Sequence, residues 1–407
     1  ERYDAALSAA YLRSDGINIA LAGSARDGYD NRTFAFNGGV RPADNLEIRA
    51  VLRHTDASKD FDAGDPPRDT NRRTDIEQNF GPFQSKPALS GGDWENIDGA
   101  ALTDTDNRTF ANGGETNRAF ADKLKLDYQT NIRFHTPDLA DARHTLTGLV
   151  EREHERFGQR GIASPFGNPN LDRRQTAYGF VGEYRVSLFD ALSLGAALRH
   201  DNNERFEDFT TYRLSAAYAH RPTSTRLHGS YGTGVKNPTF VELFGFFGNF
   251  VGNPNLQPEQ SRGFDVGVEQ AFLDGRLTLD VTYFRQNLTD EIASLRTAGF
   301  FVPVNLDGES RREGVEVSGR ATLAPGFDLV ASYTYTRSEE PNGQEELRRP
   351  RHIASVTANH TFLDGRAGIN LLVFPPGFGR DCRGIGALGI AHHFKISPDN
   401  HRSIDID

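Results

Sequence analysis

No methionine occurs in these 407 residues, and there is one cysteine, Cys382, and one tryptophan, Trp94. A lone cysteine excludes an internal disulfide framework. Without methionine, Glu1 is not a natural start, so the expectation is that the native N-terminus and any export signal lie upstream. No stretch approaches the roughly 18 consecutive apolar residues that a membrane-spanning helix needs, and the mean hydropathy is −0.57. If this chain enters a membrane, it does so as strands. A dense Lys/Arg run is also missing, and the formal net charge is −10. Nucleic acid is therefore not an expected partner, because phosphate neutralisation needs a basic face.

The signatures of enzymes are equally scarce. The 12 histidines are scattered, with no His-Glu-x-x-His, and the one adjacent pair, His392-His393, falls near the end. There is no phosphate loop and no nucleophile elbow. Carboxylates are so evenly spread that no acid/base couple stands out. The expectation is a protein that is not an enzyme.

What the chain does have is 41 Gly, 29 Phe, 12 Tyr and a persistent period of two. Along 123–134, Leu124, Leu126, Tyr128, Ile132 and Phe134 alternate with Lys123, Lys125, Asp127, Gln129, Asn131 and Arg133. Similar alternation runs through 45–53, 178–186, 192–199, 264–272 and 327–336. A sheet with one apolar and one wet face requires this period. About fifteen such strands can be counted. A soluble β-sandwich would show the same alternation, so the connections have to decide. Tight turns stand at 42–45, 137–138, 189–190, 273–276, 324–326 and 363–366, and between them lie long polar stretches at 55–117, 158–173, 235–260, 290–311 and 338–349. Short turns at one end and long loops at the other are the pattern of an all-β, transmembrane antiparallel β-barrel. Aromatics near strand ends, Phe34, Phe134, Tyr184, Phe272 and Tyr333, suit its interfacial girdles. The charges Arg49, Arg53, Lys125, Arg133, Glu183, Arg185 and Arg199 would then face the lumen.

A denser signal occupies 229–292. Gly-Ser-Tyr-Gly-Thr-Gly-Val-Lys-Asn-Pro-Thr-Phe-Val-Glu-Leu-Phe starts at Gly229, and Gly-Asn-Pro-Asn-Leu-Gln-Pro-Glu starts at Gly252. Tyr283-Phe284 and Asp290-Glu291-Ile292 follow, with further echoes at Asp15-Gly16-Ile17-Asn18, 27–33 and 312–316. This resembles the barrel signature of TonB-dependent receptors, carried by Lys236, Pro238, Gly252, Asn253, Pro254, Leu256, Pro258 and Glu259, and it is similar in feel to the vitamin B12 transporters. The resemblance implies a 22-stranded barrel filled by an N-terminal plug, with loops that capture cobalamin or a ferric siderophore and a TonB complex that energises import. It implies as partners that small-molecule ligand, TonB through the plug, and the lipid and lipopolysaccharide of a Gram-negative outer membrane. Residues 1–374 are then an incomplete receptor barrel without its plug, and 375–407 an atypical tail that lacks alternation. A passive porin-like barrel and a soluble β-sandwich module are the alternatives.

Two sets of candidate site residues follow. Phe244, Phe246, Phe247 and Phe250 cluster within seven residues beside Asn249 and Asn253, an aromatic patch on which a large ring-containing ligand could stack. Calcium takes several carboxylate oxygens, and the resemblance to vitamin B12 receptors points to Asp15, Asp27, Asp30 and Asp56 as its ligands. The alternative for these aspartates is a solvated acidic loop near lipopolysaccharide.

Overall fold

The computed structural model describes Arg2 to Phe374, apart from Ile19, Leu21, Ala22, Ser24, residues 63–67, Arg348 and Asp364, together with the backbone of Gly389–Ile396. Its first half contains β1 (Tyr3–Ser14), β2 (Tyr29–Ala43), β3 (Leu46–Asp60), β4 (Arg72–Leu89), β5 (Trp94–Ala111) and β6 (Gly114–Thr136). These continue into β7 (Ala142–Gly161), β8 (Leu171–Leu188), β9 (Leu192–Asn203), β10 (Phe209–His220) and β11 (Thr225–Lys236). A connection then holds α1 (Phe240–Phe244), β12 (Phe246–Phe247) and β13 (Phe250–Val251). The second half contains β14 (Glu259–Phe272), β15 (Leu277–Thr289), β16 (Ile292–Thr297), β17 (Phe300–Asn305), β18 (Glu309–Ala324) and β19 (Phe327–Glu339). It ends with β20 (His352–Phe362), β21 (Ala367–Phe374) and β22 (Gly389–Ile396).

Eighteen of these strands make one antiparallel sheet in which each pairs with the next in sequence, while β12, β13, β17 and β16 form a separate small sheet. Among the described residues the sheet thus has eighteen strands rather than the expected fifteen or so. Most of the difference comes from 55–117, which read as one long loop. It holds the upper end of β3, all of β4 and β5, and the start of β6. The stretch Thr103-Asp104-Thr105-Asp106-Asn107-Arg108 has no apolar member, so periodicity was silent there. The hairpin is set instead by Asn112 and Gly113, at φ 50° and 81°, the pair of positive angles that matches the twist of two antiparallel strands. The tail at 375–407 lies mostly outside the described residues; within it, β22 pairs antiparallel with β21, from Ala367 opposite Ile396 to Phe374 opposite Gly389.

All six tight turns fall at one end of the sheet, joining β2–β3, β6–β7, β8–β9, β14–β15, β18–β19 and β20–β21. At this end Phe189, Asp190, Leu273 and Asp274 take positive φ to close their turns. At the other end strands run far past any bilayer. The 23 residues of β6 rise roughly 50 Å at about 3.3 Å per residue and a 45° tilt, against an apolar band of about 25 Å. The apolar half of β6 is the lower one, Leu124 to Phe134, and the upper half carries Arg118 and Asp122.

The apolar face has no protein cover: Leu102 is 52% exposed, Leu198 56%, Leu214 52% and Val266 55%. A sandwich would have buried this face against a second sheet, so the sandwich alternative does not hold. Aromatic rings gather at both edges of the band. His144 stacks between Phe134 (4.4 Å) and Tyr184 (6.0 Å) near the tight turns, and Tyr212–Tyr231 and Phe264–Tyr283, each at 5.9 Å, lie toward the loops. The opposite face is held by charge. Lys125 bonds Glu151 at 2.6 Å, Arg199 grips Glu151 and Asp201, Arg49 meets Asp4 at 2.8 Å, and Arg185 meets Glu183 at 2.8 Å.

Candidate functional site

The large buried apolar side chains include Phe157 on β7 and Phe240, Leu243 and Leu256 of the β11–β14 connection, and Phe157 stacks on Phe240 at 5.8 Å at the loop end of the sheet. The local sequence dictates this fold. Thr239 caps α1 through a reciprocal box: Glu242 N–H donates to Thr239 Oγ1 at 3.2 Å, and Thr239 N–H donates to Glu242 Oε2 at 2.7 Å. Gly252 then passes so close to the helix end that a Cβ there would stand 2.7 Å from Phe244 N. Asn253 N–H donates to the Glu242 carbonyl at 2.8 Å, and Asn253 Nδ2 donates to the Pro303 carbonyl at 3.1 Å.

The signature residues thus tie loops together. Pro238, Leu256 and Pro258 are buried, and Pro254 is exposed. Lys236 Nζ reaches Glu259 Oε2 at 2.6 Å while Glu259 Oε1 accepts Ile292 N–H at 2.7 Å, coupling β11 and β14 to β16. Asn305 clamps the same place, accepting Gln257 N–H at 2.9 Å and donating to the Gln257 carbonyl at 2.9 Å.

The aromatic candidates divide into two groups. Phe244 lies beneath two guanidinium groups, Arg173 at 4.8 Å and Arg205 at 4.9 Å from its ring centroid. Phe246 is pinned to the wall, since Gln159 on β7 donates from Nε2 to its carbonyl at 2.7 Å and accepts its N–H at 3.0 Å. These two rings are structural parts of the cap. Phe247 is 42% exposed and stacks on Phe250 at 4.9 Å. Phe250 is the register partner of Phe301 on β17, and the Asn249 carbonyl accepts Phe301 N–H at 2.7 Å. The aromatic surface continues through exposed Phe301, with Arg296 over its ring at 5.9 Å, and through half-buried Phe300, which meets exposed Phe166 of the β7–β8 loop at 5.5 Å. Phe166, Phe300 and Phe301 were missed in the sequence because no run joins them to 244–250; the Phe300-Phe301 pair opening a strand was their only signal.

Below this surface, on the inner face, lies a polar cavity of about 220 Å³ lined by Glu151, Glu153, Arg199, Asp201 and Asn237. The loop charge next to it is well ordered. Asp208 accepts Asn203 N–H at 2.9 Å and Asn202 Nδ2 at 2.7 Å, and these bonds hold its carboxyl below the ordinary aspartate range.

The four aspartates are less concentrated. Asp15 and Asp30 line one cleft of about 550 Å³ together with Arg13, Arg26 and Asp60. Asp30 accepts the Tyr11 hydroxyl at 2.6 Å and pairs with Arg32 at 3.5 Å, and Asp15 pairs with Arg13 at 4.0 Å. Asp56 is on β3 opposite Arg32. Asp27 differs from these: its Oδ2 is buried without a hydrogen-bond partner. Burial first, and then the charges of Asp62 and Asp60, raise its carboxyl above the ordinary range. Among the described residues no three His, Cys, Asp or Glu converge as a metal site.

A sheet with a bare apolar outer face and a charged inner face has the architecture of an outer-membrane β-barrel wall. Residues 3–381 match the family described as TonB dependent receptor-like, beta-barrel. The chain belongs to that family, which is one of receptors and not of enzymes. Among curated relatives, the iron-regulated outer membrane virulence protein of Vibrio cholerae (strain O395) is 27% identical over 54% of this chain and 37% of its own length. The vitamin B12 transporter BtuB of Vibrio vulnificus is 32% identical over 30% of this chain and 19% of its own length. The siderophore receptor PirA of Acinetobacter baumannii shares the fold with a TM-score of 0.73 at 14% identity, covering 92% of this chain and 63% of that one. The chain thus spans less than two thirds of each. The vitamin B12 likeness is one of several within the family.

Proposed function

We propose that this chain is the wall and outer binding surface of an outer-membrane receptor for a scarce, bulky nutrient, a ferric siderophore or cobalamin, energised through TonB in the complete protein. The aromatic surface of exposed Phe247, Phe301 and Phe166, joined by half-buried Phe250 and Phe300, supports this reading most strongly. Several rings on one loop sheet suit a large, ring-containing ligand, which gains by stacking and by leaving water. The neighbouring guanidinium groups of Arg173, Arg205 and Arg296 favour an anionic chelate, and so a ferric siderophore ahead of cobalamin. Both relatives' names, the iron-regulated one and the vitamin B12 one, fall within this range.

The complete receptor, purified in detergent, is titrated with a ferric catecholate, a ferric hydroxamate and cobalamin. One of the three should bind with submicromolar affinity, and Phe247→Ala with Phe301→Ala should weaken it by roughly tenfold or more, about 1.4 kcal/mol. Binding of none, together with unselective permeation of small solutes, would support the porin-like alternative instead. Calcium is an accessory part of the proposal, resting on Asp27. Millimolar calcium should slow backbone exchange of the 15–30 loop in the parent and leave Asp27→Asn unchanged.

A further inference from the structure

Arg312 on β18 joins two loops that are far apart in sequence. Val315 and Val317 of the same strand lie on the apolar face, opposite Tyr283 and Val281 of β15, so Arg312 points inward at the loop end. Its guanidinium bonds Glu291, at the foot of β16, and donates from Nε to both oxygens of Glu346 in the β19–β20 loop, at 3.0 and 3.2 Å. The side chains are 15% exposed for Arg312, 18% for Glu291 and 8% for Glu346. Glu346 is bonded by Arg349 as well, and its N–H donates to the Ser338 carbonyl at 3.1 Å. Glu291 has no other side-chain partner among the described residues.

The neighbouring hydroxyls do not assist. Ser338 is the register partner of Arg312, and Ser310 lies two residues before it on the same face. Both hydroxyls are buried without a hydrogen-bond partner, and so is Glu291 Oε2. A carboxylate withdrawn from water needs an opposite charge, and Arg312 supplies it to Glu291.

The consequence lies in what stands on Glu291. Its carbonyl accepts Leu306 N–H at 2.8 Å, and Asn305 Nδ2 donates to the Asp290 carbonyl at 2.7 Å, which closes the base of the β16–β17 hairpin. Ala298 and Gly299 turn that hairpin at φ 51° and 87°, and Phe300 and Phe301 follow directly at its tip. Phe301 is four residues from Asn305, roughly 13 Å along an extended strand, so a tilt at the base displaces both rings. β17 leans on the cap through Phe250, whereas β16 is the outer edge of the small sheet. The foot of β16 is held from the wall instead: Glu259 takes the Ile292 N–H, and Arg312 takes the adjacent Glu291 carboxylate.

We propose that Arg312 is a positioning residue for nutrient capture, fixing the foot of the β16–β17 hairpin against the β19–β20 loop so that Phe300 and Phe301 continue the surface of Phe247 and Phe250. It acts through these rings rather than by touching the ligand. The inference rests on the aromatic surface proposed above as the binding site.

The complete receptor in detergent is followed by hydrogen exchange and titrated with a ferric tricatecholate, a ferric hydroxamate and cobalamin. Arg312→Gln should speed exchange across both 292–305 and 340–351, and Glu291→Gln across 292–305 only, while 240–251 keeps the parent's protection. Arg312→Gln should also weaken the probe that binds the parent by about tenfold, and Arg312→Lys, which keeps the charge without the two-sided fork, should recover part of the loss. In a Phe301→Ala background Arg312→Gln should add nothing further, because both changes remove the same ring from the ligand; a general loss of structure would add. Arg311→Gln, on the opposite face of β18, should match the parent. Heat-dependent gel mobility checks each fold, and Glu291→Gln, which leaves Arg312 paired with Glu346, replaces Arg312→Gln in the titration if that variant misfolds. Unchanged exchange across 292–305, unchanged affinity, or a loss that adds to that of Phe301→Ala overturns the positioning role and leaves the nutrient reading intact. A parent that binds none of the three probes defeats the nutrient reading and this role with it.

Discussion

Gln159 and Phe246, 87 residues apart, hold each other by two hydrogen bonds, side chain to backbone in both directions. Gln159 is 1% exposed, and its Nε2 also donates to Asn117 Oδ1 at 2.9 Å, so the amide has no spare polar atom. It is the bolt between wall and cap. Gln159→Leu should leave the Phe246 N–H and carbonyl unmet at a cost of about 1–3 kcal/mol. Hydrogen exchange should speed up across 240–251 while the sheet keeps its protection.

Two phenylalanines of the cap should respond differently to truncation. Phe240 is 6% exposed and stacks on Phe157 at 5.8 Å, so Phe240→Ala should destabilise the cap by about 3–5 kcal/mol. Phe247→Ala should change thermal stability by well under 1 kcal/mol yet weaken nutrient binding. Calorimetry and ligand titration on the same two variants check the split.

Neighbouring positions on β6 test the two faces of the sheet. Leu126 is 43% exposed on the apolar side, and Lys125 pairs with Glu151 on the other. Leu126→Arg, close to the upper edge of the apolar band, should cost about 1 kcal/mol of folding free energy in a bilayer, measured by denaturant titration in lipid vesicles. Lys125→Arg should be tolerated.

Two loop aspartates give opposite pH dependences. The carboxyl of Asp208 is held below its ordinary value of 3.8, so the folded loop binds fewer protons than the unfolded one. Its contribution is complete above that value and is lost as the pH falls toward the folded one. Asp27 is raised above 3.8, so folding there takes up a proton, and its loop weakens as the pH rises through the interval between the two values. Side-chain carboxyl NMR of the two loops should show Asp208 titrating below and Asp27 above a reference aspartate. Asp208→Asn should abolish the acid-side loss and Asp27→Asn the other.

A glycine tests the hairpin that periodicity missed. Gly113 sits at φ 81°, where a branched side chain is strained, so Gly113→Val should cost more than about 1 kcal/mol and loosen the upper ends of β5 and β6 in hydrogen exchange.

The sequence by itself determined the two faces, the tight-turn end and the family. Each of these depends on neighbours along the chain: a period of two, a Pro-Gly or Asp-Gly turn, an ordered run of signature residues. It stopped at β4 and β5, where Asp104, Asp106 and Arg108 replace the apolar members and only pairing with β6 reveals a strand. The tertiary structure alone decided what each ring of 244–250 packs against. Phe246 is locked by Gln159 and Phe244 by Arg173 and Arg205, from strands and loops distant in sequence, while Phe247 and Phe250 join Phe301 and Phe166. A side chain's polarity can be read from the sequence, but what meets it across the sheet is set by register and loop packing, which single residues do not encode.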